Sequence, residues 1–252
     1  MFRADIDGQT LVMDYAANVN MNFVMRDRQT RSLWQQATGE GYEGPLKGRR
    51  LAIYPFVIST WSEWRSEHPE TLVLAPVPQD VEFVPQGGGP PINLYRLLWD
   101  RRQQEFQDQR ASRGGPPPGR LRRQDSRLLM YEQVVGLDTG GARRAYPVAV
   151  LKNERVVNDQ LGNQPIVVLA TANGEMVTAY DRVLGGRTLT FEHRRPADQV
   201  VDVETGSRWN AFGECVAGRL RGRRLSVLTP MPSLWFSWAQ FYPDTDVYTK
   251  KR

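Results

Sequence analysis

Cysteine and histidine are the scarcest reactive residues in this 252-residue chain: one cysteine, Cys215, and two histidines, His68 and His193. A single thiol excludes an intrachain disulfide and leaves the redox compartment undefined. The two histidines stand far apart, His68 in a His-Pro pair and His193 in an EHRR run, so no Cys/His spacing suits a metal. A Ser/His/Asp arrangement, a phosphate-binding glycine loop and a dinucleotide fingerprint are also missing. Neither catalysis nor a cofactor is therefore expected. Long apolar runs are lacking too: nothing approaches the ~20 residues a membrane span needs. The opening MFRADIDGQTLVMDY lacks the apolar core of a signal peptide. The chain as given reads as soluble, with membrane contact only peripheral or through a partner. No small-molecule substrate is evident.

Charge of one sign is scarce over most of the chain. The net charge is +5, yet nine arginines and four acids fall between Tyr95 and Arg127, so the rest is neutral. That argues against a nucleic-acid surface spread over the fold. At 40 % hydrophobic and 24 % charged, the composition is that of a folded protein.

What is present is a repeat. Asp27–Leu74 and Asp202–Tyr248 align with one gap at Thr38 and share 18 identities in 47 positions. Asp27/Asp202, Gly39-Glu40/Gly213-Glu214, the tetrads Gly48–Leu51/Gly222–Leu225 and Pro69/Pro243 coincide. So do three tryptophan pairs, Trp34/Trp209, Trp61/Trp235 and Trp64/Trp238. Density of this kind indicates duplication. The match extends upstream, with Gly8, Thr10 and Leu11 opposite Gly186, Thr188 and Leu189, but the stretch 131–181 has no counterpart in the first half.

Short alternating runs between glycine-rich turns predict strands, at Leu51–Tyr54, Thr71–Leu74, Tyr131–Asp138, Arg144–Leu151, Pro165–Ala170, Glu175–Asp181, Arg187–His193 and Leu225–Leu228. Ser59–His68 and Leu234–Tyr242, each stopped by proline, predict short tryptophan-bearing helices. The fold class is mainly β: two tandem repeats of short-stranded sheet with one short helix each, joined by a Pro/Gly/Arg-rich connector. Residues 1–85 form the first repeat, 86–126 the connector with a helix over 93–110, and 127–252 the second repeat.

Because Trp34, Trp61, Trp64, Trp209, Trp235 and Trp238 repeat with the fold, they read as core rather than as a stacking platform for a sugar. Asp27, Asp202, Glu40 and Glu214 either face one another as carboxylate pairs or, the preferred reading, satisfy donors in their own turns. The twin Gly-Arg-Arg-Leu segments suit ion pairs at strand starts. Cys215 lies opposite Gly41 and reads as a small buried position. The unduplicated connector is the partner-facing candidate, through Leu98, Trp99, Arg101, Arg102, Phe106, Arg120, Arg122 and Arg123, and its expected partner is a protein rather than nucleic acid.

These motifs resemble the prokaryotic family known as domain of unknown function 3179. The similarity rests on Asp27–Glu40, Gly44–Gly48, Thr60–Trp64 and His68–Thr71. In the second half it rests on Val134-Val135-Gly136, Ala145-Tyr146-Pro147, Val157-Asn158-Asp159, Arg187–Phe191, Thr205-Gly206-Ser207 and Trp235-Phe236-x-Trp238. The resemblance implies that the chain matches the later two-thirds to three-quarters of a member. It also implies an exported or membrane-associated setting, and a Cys-Pro-Leu-Cys motif that members carry upstream. In the second repeat Thr171 and Gly174 stand at that place and cannot ligate metal. The leading expectation is a non-catalytic structural or binding subunit of a larger assembly. The alternatives are an exported metal or redox protein whose cysteine pair lies upstream, and a carbohydrate-binding module.

Overall fold

The computed structural model describes residues 2–19, 22–54, 56–74 and 125–249, and the backbone alone at 82–83 and 92–93. Among them the protein is β-rich, with three short helices. The chain divides into two compact units, one of residues 1–60 with 118–252, the other of residues 61–117.

In the larger unit the first sheet is an antiparallel meander of β1 (Met13–Val19), β2 (Asn22–Asp27), β3 (Leu33–Gln35) and β4 (Gly41–Glu43). Its two faces differ because side chains alternate along a strand. Met25 pairs with Trp34 on the face that meets Leu11 and Leu51, whereas Val24 pairs with Gln35 on the other. A bulge matches Leu33 to Glu43 and Trp34 to Gly41, which leaves Tyr42 as the extra residue.

In the smaller unit, α1 (Trp61–Glu67) is one short helix. The Trp64 indole N–H donates to Thr71 Oγ1 at 2.8 Å, and the Trp64 and His68 rings lie 4.3 Å apart.

Back in the larger unit, β5 (Gln133–Asp138) and β6 (Arg143–Pro147) form a hairpin that runs into α2 (Val148–Glu154). Three antiparallel strands follow, β7 (Val156–Leu161), β8 (Gln164–Ala170) and β9 (Val177–Asp181). A second meander comprises β10 (Phe191–Arg194), β11 (Gln199–Asp202), β12 (Arg208–Trp209) and β13 (Cys215–Ala217). The chain then gives β14 (Val227–Leu228), β15 (Met231–Leu234), α3 (Trp235–Phe241) and β16 (Asp246–Val247). β14 joins β9, while β15 and β16 flank the β5–β6 hairpin.

The β7–β8–β9–β14 sheet is the middle of three layers. Ile166, Val168 and Ala179 pack toward Leu137, Tyr146 and Leu151, and Val167, Leu169 and Tyr180 pack toward Phe191, Trp209 and Leu225. Burial on both faces is why β8 reads as one apolar run rather than an alternating one. On the outer side of β5–β6, Trp235 and Trp238 of α3 cover Val134 and Ala145. Gly136 is required there, since a Cβ would collide with the Trp238 ring.

The two meanders share several contacts. Phe2 bridges Ile53 as Tyr180 pairs with Val227, and a Cβ at Gly39 would strike the Phe2 ring as one at Gly213 would strike Tyr180. Both glycines have positive φ, 67° and 73°.

Several predicted strands differ. Arg144–Leu151 is half helix: Val148 and Leu151 lie one turn apart and both are buried, and a short apolar run suits either state by pattern alone. Leu51–Tyr54 contributes only the Ile53 bridge, and Thr71–Leu74 takes no regular structure. The connector helix predicted from Asn93 to Arg110 lies outside the described residues, apart from the Asn93 backbone.

Candidate functional site

Four of the six repeat tryptophans are core. Trp34, Trp209, Trp235 and Trp238 are at most 4 % exposed, whereas Trp61 of α1 is half exposed. Each buried meander tryptophan is held by a carboxylate seven residues earlier. The Trp34 indole N–H donates to Asp27 Oδ2 at 2.8 Å, and that of Trp209 donates to Asp202 Oδ2 at 2.9 Å. Thr30 and Thr205 add backbone and hydroxyl donors to the same carboxylates. Ser32 and Ser207 then accept the backbone N–H groups of Leu46 and Leu220 at 3.0 and 3.1 Å. Burial by itself raises the Asp27 pKa, but bonds from Trp34, Thr30 and Ser32 outweigh it and hold the carboxyl below the usual 3.8. Both aspartates thus bind donors of their own turns. Their groups are consumed by the fold.

The twin glutamates pair with the arginines of the Gly-Arg-Arg-Leu segments, differently in each copy. Arg224 lies 2.6 Å from Glu214. Arg50 is shared, 3.7 Å from Glu40 and 3.8 Å from Asp138, both beyond hydrogen-bonding distance. Asp138 is held more tightly by Arg143 Nε at 2.9 Å, and the Arg143 guanidinium sits 4.9 Å over the Tyr242 ring.

This shared arginine marks a cleft of about 670 Å³ within the larger unit. One wall is the outer face of the first meander, with Val19, Val24, Gln35 and the bulged Tyr42. The other is the end of α3, with Gln240, Phe241 and Tyr242. Thr38, Glu40 and Arg50 complete the lining. The walls are tied together by the Ser237 hydroxyl, which donates to Asn22 Oδ1 at 2.6 Å. Gln240 donates through Nε2 to the Phe236 carbonyl at 3.1 Å, while its Oε1 is buried and has no hydrogen-bond partner among the described residues. Burial, with the carboxylates of Asp138 and Glu40, raises the Tyr242 phenol against the opposing pull of Arg50 and Arg143, so it keeps its proton at ordinary pH.

Sequence reasoning passed over this cleft. Its signal lay in the differences between the copies rather than in the identities: Tyr42 opposite Val216, Gln240 opposite Ser66, Tyr242 opposite His68. The predicted partner-facing residues, Leu98, Trp99, Arg101, Arg102, Phe106, Arg120, Arg122 and Arg123, lie outside the described residues. Thr171 and Gly174 fall in the turn joining β8 to β9, where the Gly174 N–H donates to the Thr171 carbonyl at 2.9 Å. Cys215 is buried, and burial raises its thiol pKa. Among the described residues no group of three or more His, Cys, Asp or Glu is placed to hold a metal. No helix of the described residues is long and apolar enough to cross a membrane.

Fold and cleft together define a β-rich protein with stacked small sheets and a mixed polar and aromatic recess. The chain belongs to the family described as Protein of unknown function (DUF3179), whose model matches residues 1–245. That span is essentially the whole chain and lends no separate support to reading it as the later part of a member. No curated protein and no solved structure matches it.

Proposed function

We propose that the protein is a binding protein, an accessory component rather than an enzyme, and that its cleft holds a small polar ligand. The observation that carries this is a recess lined by mixed polar and aromatic groups in which Arg50 is only loosely paired. The volume falls in the range of ligand clefts, roughly 300–1,000 Å³. The lining offers hydrogen-bonding and stacking groups: two amides, two phenols, a hydroxyl and one ion pair.

A thermal-shift screen of neutral, cationic and anionic small molecules tests the reading. At least one compound is expected to raise the melting temperature of the wild type and to do so much less for Tyr42→Val, a change to the residue that the second copy carries at this position. Stabilisers that act equally on both proteins would refute it.

Protein contact through the 86–126 connector is the second part of the proposal. It is supported by the nine arginines and four acids of Tyr95–Arg127, which hold the whole net charge. Deleting 93–123 is expected to abolish co-purification of the partner while the circular dichroism of the remaining chain persists. Unchanged co-purification would sink this part.

A further inference from the structure

The inference below rests on reading the cleft as a ligand site and concerns what the ligand is. We infer that the cleft takes a neutral, hydroxyl-rich ring, of which a pyranose sugar is the simplest example. Charge balance is the first reason. Glu40 and Asp138 stand against Arg50 and Arg143, two of each sign. That balance gives the cleft no net field to draw in a charged ligand. A carboxylate or phosphate would also have to displace Glu40 or Asp138 from Arg50.

Hydrogen-bond chemistry is the second. Arg50 only donates, ionised Glu40 only accepts, and the Gln35 and Gln240 amides, the Thr38 hydroxyl and the tyrosine phenols do both. A lining of this mixed kind is met by hydroxyl groups, each of which donates one bond while accepting others. An entirely apolar ligand would strip water from Arg50 and Glu40 without replacing its hydrogen bonds.

Shape is the third. Phe241 and the Tyr42 ring supply an apolar lining beside the polar groups, in front of the buried Val24 and Tyr242. A pyranose presents C–H faces to such surfaces and hydroxyls around its edge. The buried tryptophans take no part, so this differs from a tryptophan platform.

Saturation-transfer NMR on the full chain tests the inference. The probes are glucose, galactose, mannose and N-acetylglucosamine, with glucuronate and glucosamine as charged counterparts. At least one neutral sugar is expected to bind, more tightly than either charged one. Gln35→Leu and Tyr42→Val are each expected to weaken it about tenfold, the equivalent of one lost contact of about 1.4 kcal/mol. Both variants are checked for the wild-type near-ultraviolet dichroism of the buried tryptophans. No neutral sugar bound, charged sugars preferred, or binding indifferent to both substitutions overturns the inference. If another class from the thermal-shift screen binds and depends on Tyr42, the sugar assignment fails while the cleft stands. If no probe binds at all, both fall.

Discussion

The Asp27 carboxylate accepts the indole N–H of Trp34 at 2.8 Å in a place where the aspartate is fully buried and the tryptophan 1 % exposed. A charge so placed is tolerable only because every nearby donor points at it. Asp27→Asn puts an amide NH₂ among donors and leaves at least one of them unmet. Urea unfolding is expected to show a loss of about 2–3 kcal/mol, and Asp202→Asn a similar one. A loss below about 0.5 kcal/mol in both would mean the contact is incidental.

The same carboxylate sets an acid limb of stability. Its folded pKa lies below the usual 3.8, so the unfolded chain binds the proton first as pH falls. The Asp27 contribution is therefore complete above that usual value and disappears as pH drops through the lower folded value. Comparing unfolding free energies at neutral pH and at pH about 3, the wild type is expected to lose more than Asp27→Asn. Equal losses in both proteins would contradict this.

Gly136 is fixed by a ring rather than by its backbone. Gly136→Ala drives a methyl into Trp238, which is itself held by Thr245 Oγ1 at 3.0 Å and cannot swing away freely. Overpacking of this kind costs about 1–3 kcal/mol, to be read as a lowered denaturation midpoint. A midpoint at the wild-type value would show that α3 shifts to make room.

Cys215 is expected to be inert in the folded protein. It is 3 % exposed, and burial raises its pKa, so little thiolate meets solvent. A thiol reagent such as dithionitrobenzoate should label it only after unfolding. Rapid labelling of the native protein would place the thiol at a functional surface.

Part of the fold was legible in residues that the sequence carries in similar settings at two places. Trp34/Trp209, Asp27/Asp202 and the turn glycines recur, and pairs of this kind point to inward positions better than periodicity does over strands of two to seven residues. The helices beginning at Trp61 and Trp235 were also readable, from tryptophans one turn apart and a proline stop. Residues 148–151 were not, since an apolar run buried on a helix face and one buried in a sheet look alike until neighbours are placed. The cleft was harder still. Its walls come from Tyr42 and Gln240, nearly two hundred positions apart, and nothing local marks either as exceptional.

The most direct test of the central claim is methyl-detected NMR of the wild type during titration with whichever small molecule stabilises it. Val19, Val24 and Thr38 carry methyl groups in the residues that line the cleft. Shifts concentrated at those methyls, and lost in Tyr42→Val, are the expected result. Shifts concentrated elsewhere, or a stabilising ligand that leaves all three unmoved, would contradict the assignment of this recess as the binding site.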